Sequence, residues 1–325
     1  MRKSLLAILV SLCAASVIRA QDVHFSQFYY SPFTLNPALA GAMDGTFRFG
    51  GIYRNQWSSI TSPFVYSTPS ISGDVKLFSG GCNKNYLGVG LLLQNNRSGD
   101  GFLSNHSGML SLAYHQALDA EGNYHLAAGM QGGIVQKSID FRKLNPGPGV
   151  NPASFDSQIS YLDVAAGVAL FGVPNSHCSF QIGASVFHLN TPKESFFENS
   201  DNQVDRRYVA HGSLTLSTGK FYFFPSAQYQ FQNSDQEFVY GSNFGFNINQ
   251  SVGIPRIIYI GAFNRLHYNV IPTVGIMTKR IQAGLSYDLN ISNDTQAITG
   301  TKGGFDIALS YMGNIRLPKH SRSLL

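Results

Sequence analysis

Hydrophobic and polar positions alternate along most of this chain, with a period of two. Leu87, Val89, Leu91 and Leu93 alternate with Gly88, Gly90, Leu92 and Gln94. Gly108, Leu110, Leu112 and Tyr114 oppose Ser107, Met109, Ser111, Ala113 and His115. Phe238, Tyr240, Phe244 and Phe246 stand against Glu237, Gly241, Asn243, Gly245 and Asn247, and Ile281, Ala283, Leu285, Tyr287 and Leu289 against Gln282, Gly284, Ser286, Asp288 and Asn290. Such alternation predicts strands with two unlike faces. One face is aliphatic and aromatic; the other is Gly, Ser, Asn, Gln and His. A lipid-facing wall around a polar interior has this pattern. Outside the N-terminal leader, no segment approaches the ~18 consecutive apolar residues of a spanning helix.

Counting the alternating segments predicts an all-β chain: a transmembrane antiparallel β-barrel of about fourteen strands. They fall near 45–54, 65–76, 85–97, 103–117, 122–137, 158–170, 177–190, 204–217, 220–231, 236–249, 256–264, 268–276, 279–290 and 304–317. Most reach the roughly 9–11 residues that cross a bilayer as a tilted strand. An even count brings both termini to one side, the periplasm. Long connections (138–157, 191–203, 291–303) follow odd strands, and short turns at Asp119–Gly122, Pro174–Ser176 and Thr218-Gly219 follow even ones. Pro69, Pro225 and Pro272 lie inside proposed strands, where a missing N–H predicts bulges or kinks. The competing architecture, a soluble sandwich or propeller, must account for strands this long and a chain this poor in charge.

Charged residues make up 13% of the chain and aromatics another 13%, with 24 Phe, 16 Tyr and 33 Gly; soluble domains carry about 25% charged residues. Yet mean hydropathy is −0.04. Arg2 and Lys3, an apolar run from Leu5 to Val17 and Ile18-Arg19-Ala20 read as a signal peptide over 1–20, with Gln21 as the mature start. Cys13 lacks the small residue that usually precedes a lipidated cysteine. Removing Arg2, Lys3 and Arg19 takes the balance from 23 basic and 18 acidic residues to 20 and 18, a net +2. The pI near 9.0 therefore reflects the leader and a basic tail over 318–325, and no basic stripe predicts nucleic-acid binding. The divisions expected are the leader, an arm over 21–44, the barrel over 45–317 and the tail. Cys82 and Cys178 fall near one rim but four strands apart, roughly 20 Å at ~4.8 Å per strand, which predicts two unbridged thiols.

A search for chemistry finds no nucleophile elbow, zinc-protease motif, phosphate loop or Cys-x-x-Cys cluster. His106, His115, His125, His188 and His211 lie on separate strands, and Ser107 or Ser213 near a histidine would be the start of a hydrolase pair. No orienting third group accompanies them, so hydrogen bonding within the lumen is the expectation, with no enzyme activity. Asp100, Asp140, Asp156, Asp201 and Asp294 lie in or beside the expected outer loops without calcium-loop spacing. No cofactor and no metal is expected.

The segment after the leader is distinctive: Asp22-Val23-His24-Phe25-Ser26-Gln27-Phe28-Tyr29-Tyr30-Ser31-Pro32, then Leu35-Asn36-Pro37-Ala38-Leu39-Ala40-Gly41. It resembles the opening of the PorP/SprF family of type IX secretion outer-membrane proteins. The resemblance continues through Tyr53-Arg54-Asn55-Gln56-Trp57, Leu87-Gly88-Val89-Gly90, Gly99-Asp100-Gly101 and Leu112-Ala113-Tyr114-His115. It runs on through Gln136-Lys137-Ser138-Ile139-Asp140, Pro225-Ser226 and Tyr287-Asp288 to Gly303-Gly304-Phe305-Asp306-Ile307. Phe305-Asp306 stands where a His-Glu pair would be expected. The resemblance implies a membrane-embedded accessory to secretion or gliding motility. Its partners would be the machine's periplasmic ring proteins or the C-terminal domain of a secreted adhesin.

Phe25, Phe28, Tyr29, Tyr30 and Phe33 are too many aromatics for a solvated tail. They are expected to pack in the lumen as a plug, along the periplasmic rim or on a partner, with Gln27, Asn36 and Pro37 in the same arm. In the first strand, Tyr53, Arg54 and Gln56 carry the signature, and Trp57 is placed to anchor at the outer interface. The alternatives are a passive or substrate-specific porin, which needs a continuous polar path, and a barrel lipase.

Overall fold

The computed structural model of the protein describes residues 23–56, 66–78, 84–98, 103–139, 158–196, 202–249, 255–292 and 301–314. Fourteen strands form one closed antiparallel barrel. They are β1 (Phe47–Gln56), β2 (Tyr66–Leu77), β3 (Tyr86–Ser98), β4 (Leu103–Ala117), β5 (Tyr124–Ile139), β6 (Gln158–Asn175) and β7 (Cys178–Phe187). The circuit continues with β8 (Arg207–Ser217), β9 (Phe221–Gln232), β10 (Asp235–Asn247), β11 (Arg256–Arg265), β12 (Asn269–Thr278), β13 (Ile281–Asn290) and β14 (Lys302–Gly313). Each strand pairs with its neighbours in sequence, and β1 closes on β14 from Phe47↔Gly313 to Gln56↔Gly304. Closure removes every sheet edge, the condition for a sheet to live in hydrocarbon.

The alternation sorts side chains as the sequence predicts. On β4, Leu110, Leu112 and Tyr114 are exposed on the outer wall while Met109, Ser111, Ala113 and His115 are buried inside. The outer row Asn95–His106–Gln136, in register across β3, β4 and β5, is polar; the row beneath it is Leu93–Gly108–Ile134. On β4 the apolar band ends at Tyr114, before Gln116. Ten residues from His106 to Gln116, at ~3.3 Å each and a tilt of roughly 40°, span about 25 Å, the height of an outer-membrane apolar band.

Three details depart from expectation. Pro69, Pro225 and Pro272 produce no bulge: the ladder lapses on one side and resumes in the same register, as from Ser67↔Arg97 to Ser70↔Gln94. The register shifts instead lie between Gly172 and Asn175 on β6, next to Pro174, and between Tyr287 and Leu289 on β13. Strand β6 runs to Asn175 through Pro174, leaving only 176–177 as the turn. Cys178 opens β7 as a free, half-buried thiol; Cys82, Trp57, the five loop aspartates, the leader and the tail over 318–325 lie outside the described residues.

Candidate functional site

The first strands and the last meet around the arm, and the arm lies inside the barrel. Residues Phe28–Tyr30 and Pro37–Leu39 form single 3-10 turns, with a one-turn helix at Pro32–Leu35 between them. Pro32 and Pro37 open their turns, where a missing N–H costs nothing. At the third, Asn36 accepts a hydrogen bond from Ala38 N at 2.9 Å and caps the turn. Almost every side chain from Phe25 to Ala40 is buried, although no element here is long enough to bury itself. The burial comes from the barrel wall.

The wall is shaped for this. An ideal Cβ at Gly88 would lie 1.9 Å from Ala40 O, at Gly90 2.3 Å from Phe33 Cζ, at Gly129 2.5 Å from Ala38 N and at Gly167 2.1 Å from Asn36 Oδ1. The inward glycines of β3, β5 and β6 therefore make room for the arm rather than line a water path: Gly88 and Gly129 for its backbone, Gly90 and Gly167 for the side chains of Phe33 and Asn36. Gly41, at φ +77°, turns the chain away from the wall with its own missing Cβ 2.8 Å from Gly88 Cα, a conformation that favours glycine. Apolar contacts complete the fit: Phe28, Leu35, Ala38 and Leu39 pack with Ala127, Ala165, Val209, Val239, Phe263 and Ile271. Phe33 and Ala40 join Leu92, Met109, Ala113 and Val135.

At its N-terminal end the arm meets charge. Arg54 donates from Nη1 to Asp306 Oδ1 at 2.8 Å and to Ser26 Oγ at 2.7 Å, and from Nη2 to Asp288 Oδ2 at 2.7 Å. Asp306 Oδ2 accepts the backbone N–H groups of Ser26 (2.7 Å) and Gln27 (3.2 Å), and Ser26 Oγ donates to Asp288 Oδ1 at 2.6 Å. Arg265 reaches Glu237 at 3.1 Å and Asp288 at 3.4 Å, and His24 lies 3.4 Å from Glu237. Asp288 sits in the β13 register shift, where a bulge re-aims a side chain. Arg54, Asp288 and Asp306 are each at most 3% exposed, so the charges are satisfied by one another and by the arm.

The arm's middle and C-terminal parts are held by neutral groups and one further ion pair. Asn36 Nδ2 donates to Val168 O at 2.9 Å and lies 3.1 Å from His211 Nε2. Ser185 Oγ donates to Leu35 O, Gln131 Nε2 to Phe33 O, and His115 Nε2 lies 2.7 Å from Ala40 O. Arg48 forks onto Asp74 at 2.9 Å through both Nε and Nη2, while Asp74 also accepts Gly41 N. Tyr29 and Tyr30 face Phe263 and Tyr259; the two hydroxyls of Tyr30 and Tyr259 are 3.0 Å apart.

The structure thus brings Phe25, Gln27, Phe28, Tyr29, Tyr30, Asn36, Pro37 and Arg54 into the lumen. Tyr53 points outward, its ring 6.2 Å from Phe305, and Gln56 lines a vestibule at the loop-rich end. Sequence reasoning missed Asp74, Glu237 and Arg265, and took Asp288 and Asp306 only as motif letters. Their signal was parity: in a chain this poor in charge, each falls on the inward phase of its strand. The histidines do not assemble a hydrolase pair among the described residues. His106 faces outward, His115 and His211 meet the arm, and His188 pairs with Asp163 at 2.9 Å. Ser213 lines the inner cavity and Ser107 a smaller one at the other end.

Comparison with known proteins supplies the class. Solved barrels of similar fold include the toluene transporter TbuX of Ralstonia pickettii (8% identity, TM-score 0.51, covering 87% of this chain and 92% of that one). TodX of P. putida (9%, TM-score 0.47, 85% and 92%) and a Pseudomonas aeruginosa FadL homologue (10%, TM-score 0.45, 85% and 91%) are further such barrels. At these identities only the fold is shared. No curated protein matches the chain. The sequence model of the type IX secretion system membrane protein PorP/SprF matches residues 17–311. Together with a closed barrel carrying a lipid-facing band, this match makes the chain an outer-membrane member of the PorP/SprF family of type IX secretion system membrane proteins.

Proposed function

We propose that this protein supports the secretion or surface anchoring of proteins bearing a C-terminal secretion signal, such as gliding adhesins. It does so by protein–protein contact and not as an open channel. Its partners are the periplasmic ring proteins of the secretion machine or the C-terminal domain of an adhesin. The mouth at which β1 starts and β14 ends faces the periplasm, because short turns gather there and long connections at the other end. The observation that carries this reading is the occupied lumen. A porin needs a continuous polar path, and here the arm, as a plug, separates an outer vestibule of about 400 Å³ from an inner cavity of about 280 Å³.

The test is an affinity pull-down of tagged protein from detergent-solubilised outer membranes, with co-purifying proteins identified by mass spectrometry. Recovery of ring components would support a core role in the machine; recovery of a large secreted adhesin would support a dedicated one. A barrel that purifies alone and conducts ions in a planar bilayer would overturn the proposal in favour of a porin.

A further inference from the structure

The barrel's even strand count places Phe47 and Gly313 at one mouth, yet the arm does not stay there. Its C-terminal end does: Thr46 N donates to Gly313 O at 2.9 Å, and Lys76 Nζ donates to Met43 O at 3.0 Å. Thirteen residues on from Val23, Asn36 meets His211 midway along β8. Ser26 and Gln27 are held by Asp288 and Asp306, near the far ends of β13 and β14. His24 meets Glu237, two residues from the start of β10. Val23 and His24 then line the outer vestibule beside Gln232, Asp235, Tyr268 and Asn290. All four belong to connections at the loop-rich mouth or to the strand ends that meet them.

We infer that the arm threads the barrel from end to end, so that Val23 lies at the loop-rich mouth, across the membrane from Gly313 at the C-terminal end of β14. Val23 and Gly313 therefore do not share a side, although the start of β1 and the end of β14 do. The physical warrant is the polarity of the anchors. The contacts to β13, β14 and β10 are made by residues 24–27 and those to the opposite mouth by residues 39–46. Reversing the path would take from Asp306 the N–H groups of Ser26 and Gln27 and from Asp288 the hydroxyl of Ser26, and would part His24 from Glu237.

The inference is independent of the secretion role and is tested by membrane sidedness. A short epitope is inserted between residues 22 and 23, a second into residues 140–157 and a third after residue 325, each in a separate full-length chain. Antibody is then applied to intact and to permeabilised cells. The epitope before Val23 should be detected under the same condition as the one in 140–157, and the C-terminal one under the other. Detection of the first together with the third overturns the inference. Should the insertion block assembly or stay hidden in both conditions, the pair His24→Cys and Glu237→Cys decides, in a chain carrying Cys82→Ser and Cys178→Ser. An oxidant-dependent shift in gel mobility of the folded barrel supports threading, and its absence overturns it.

Discussion

Two stretches of one arm, its N-terminal end and its middle, are held by different physics. Around Ser26 and Gln27 the barrel uses charge: one arginine forks between two aspartates that are 252 and 234 residues away from it in sequence. Around Asn36, Pro37 and Ala38 it uses shape: Gly129 on β5 leaves room for backbone and Gly167 on β6 for the Asn36 amide, which fills the gap. The charged end depends on completeness, since a buried ion that loses its partner is far worse than none. The glycine-lined middle depends on absence, since any added carbon must displace the arm. A chain that occupies its own lumen in this way is locked at its N-terminal end by electrostatics and at its middle by steric fit. Each lock fails by a different kind of substitution.

The largest effect should come from breaking the charged end. Arg54→Ala leaves Asp288 and Asp306 buried without their shared cation and should cost about 3–5 kcal/mol, read as a lowered midpoint of heat-modifiability on gels or of urea unfolding. Converting the cluster to neutral groups, Arg54→Met with Asp288→Asn and Asp306→Asn, should recover most of that loss. If the triple variant is as unstable as the single one, charge satisfaction is not what holds this end.

Next comes the glycine-lined middle. Gly129→Val or Gly167→Val forces the arm off the wall and should cost about 1–3 kcal/mol or more, with the barrel intact and the arm newly open to limited proteolysis. Gly51→Ala is the control, because nothing lies closer than 3.5 Å to a Cβ there; it should change neither readout. Asn36→Ala should be milder in steric terms but strips partners from Val168 O and from Ala38 N, at about 1–3 kcal/mol. Smallest is Tyr30→Phe, which removes only the hydroxyl facing Tyr259 and should cost about 0.5–1.5 kcal/mol by the same unfolding assay.

The wall was legible in the sequence because each strand carries its own evidence. The alternation in Leu110, Leu112, Tyr114 or in Leu285, Tyr287, Leu289 needs no partner to be read. Ladder defects were not legible: Pro69 and Pro272 look like bulge sites, but a missing N–H on one side can be absorbed without moving the register. The bulge that matters, at Asp288, depends on how β13 meets β14. The arm showed its aromatics but not its destination. Glycines such as Gly129 and Gly167 read as a polar lumen face, when their purpose is visible only once Ala38 and Asn36 lie against them. The Arg54–Asp288–Asp306 cluster needs the barrel to close before its members meet, and no local pattern encodes that.

The most direct test is the ion conductance of the purified barrel in a planar bilayer, full-length against a chain lacking residues 23–41. The account predicts a full-length protein that is closed or nearly so, and a deletion variant that opens steps of steady current through the vacated lumen. Full-length protein conducting as well as the deletion variant would contradict it.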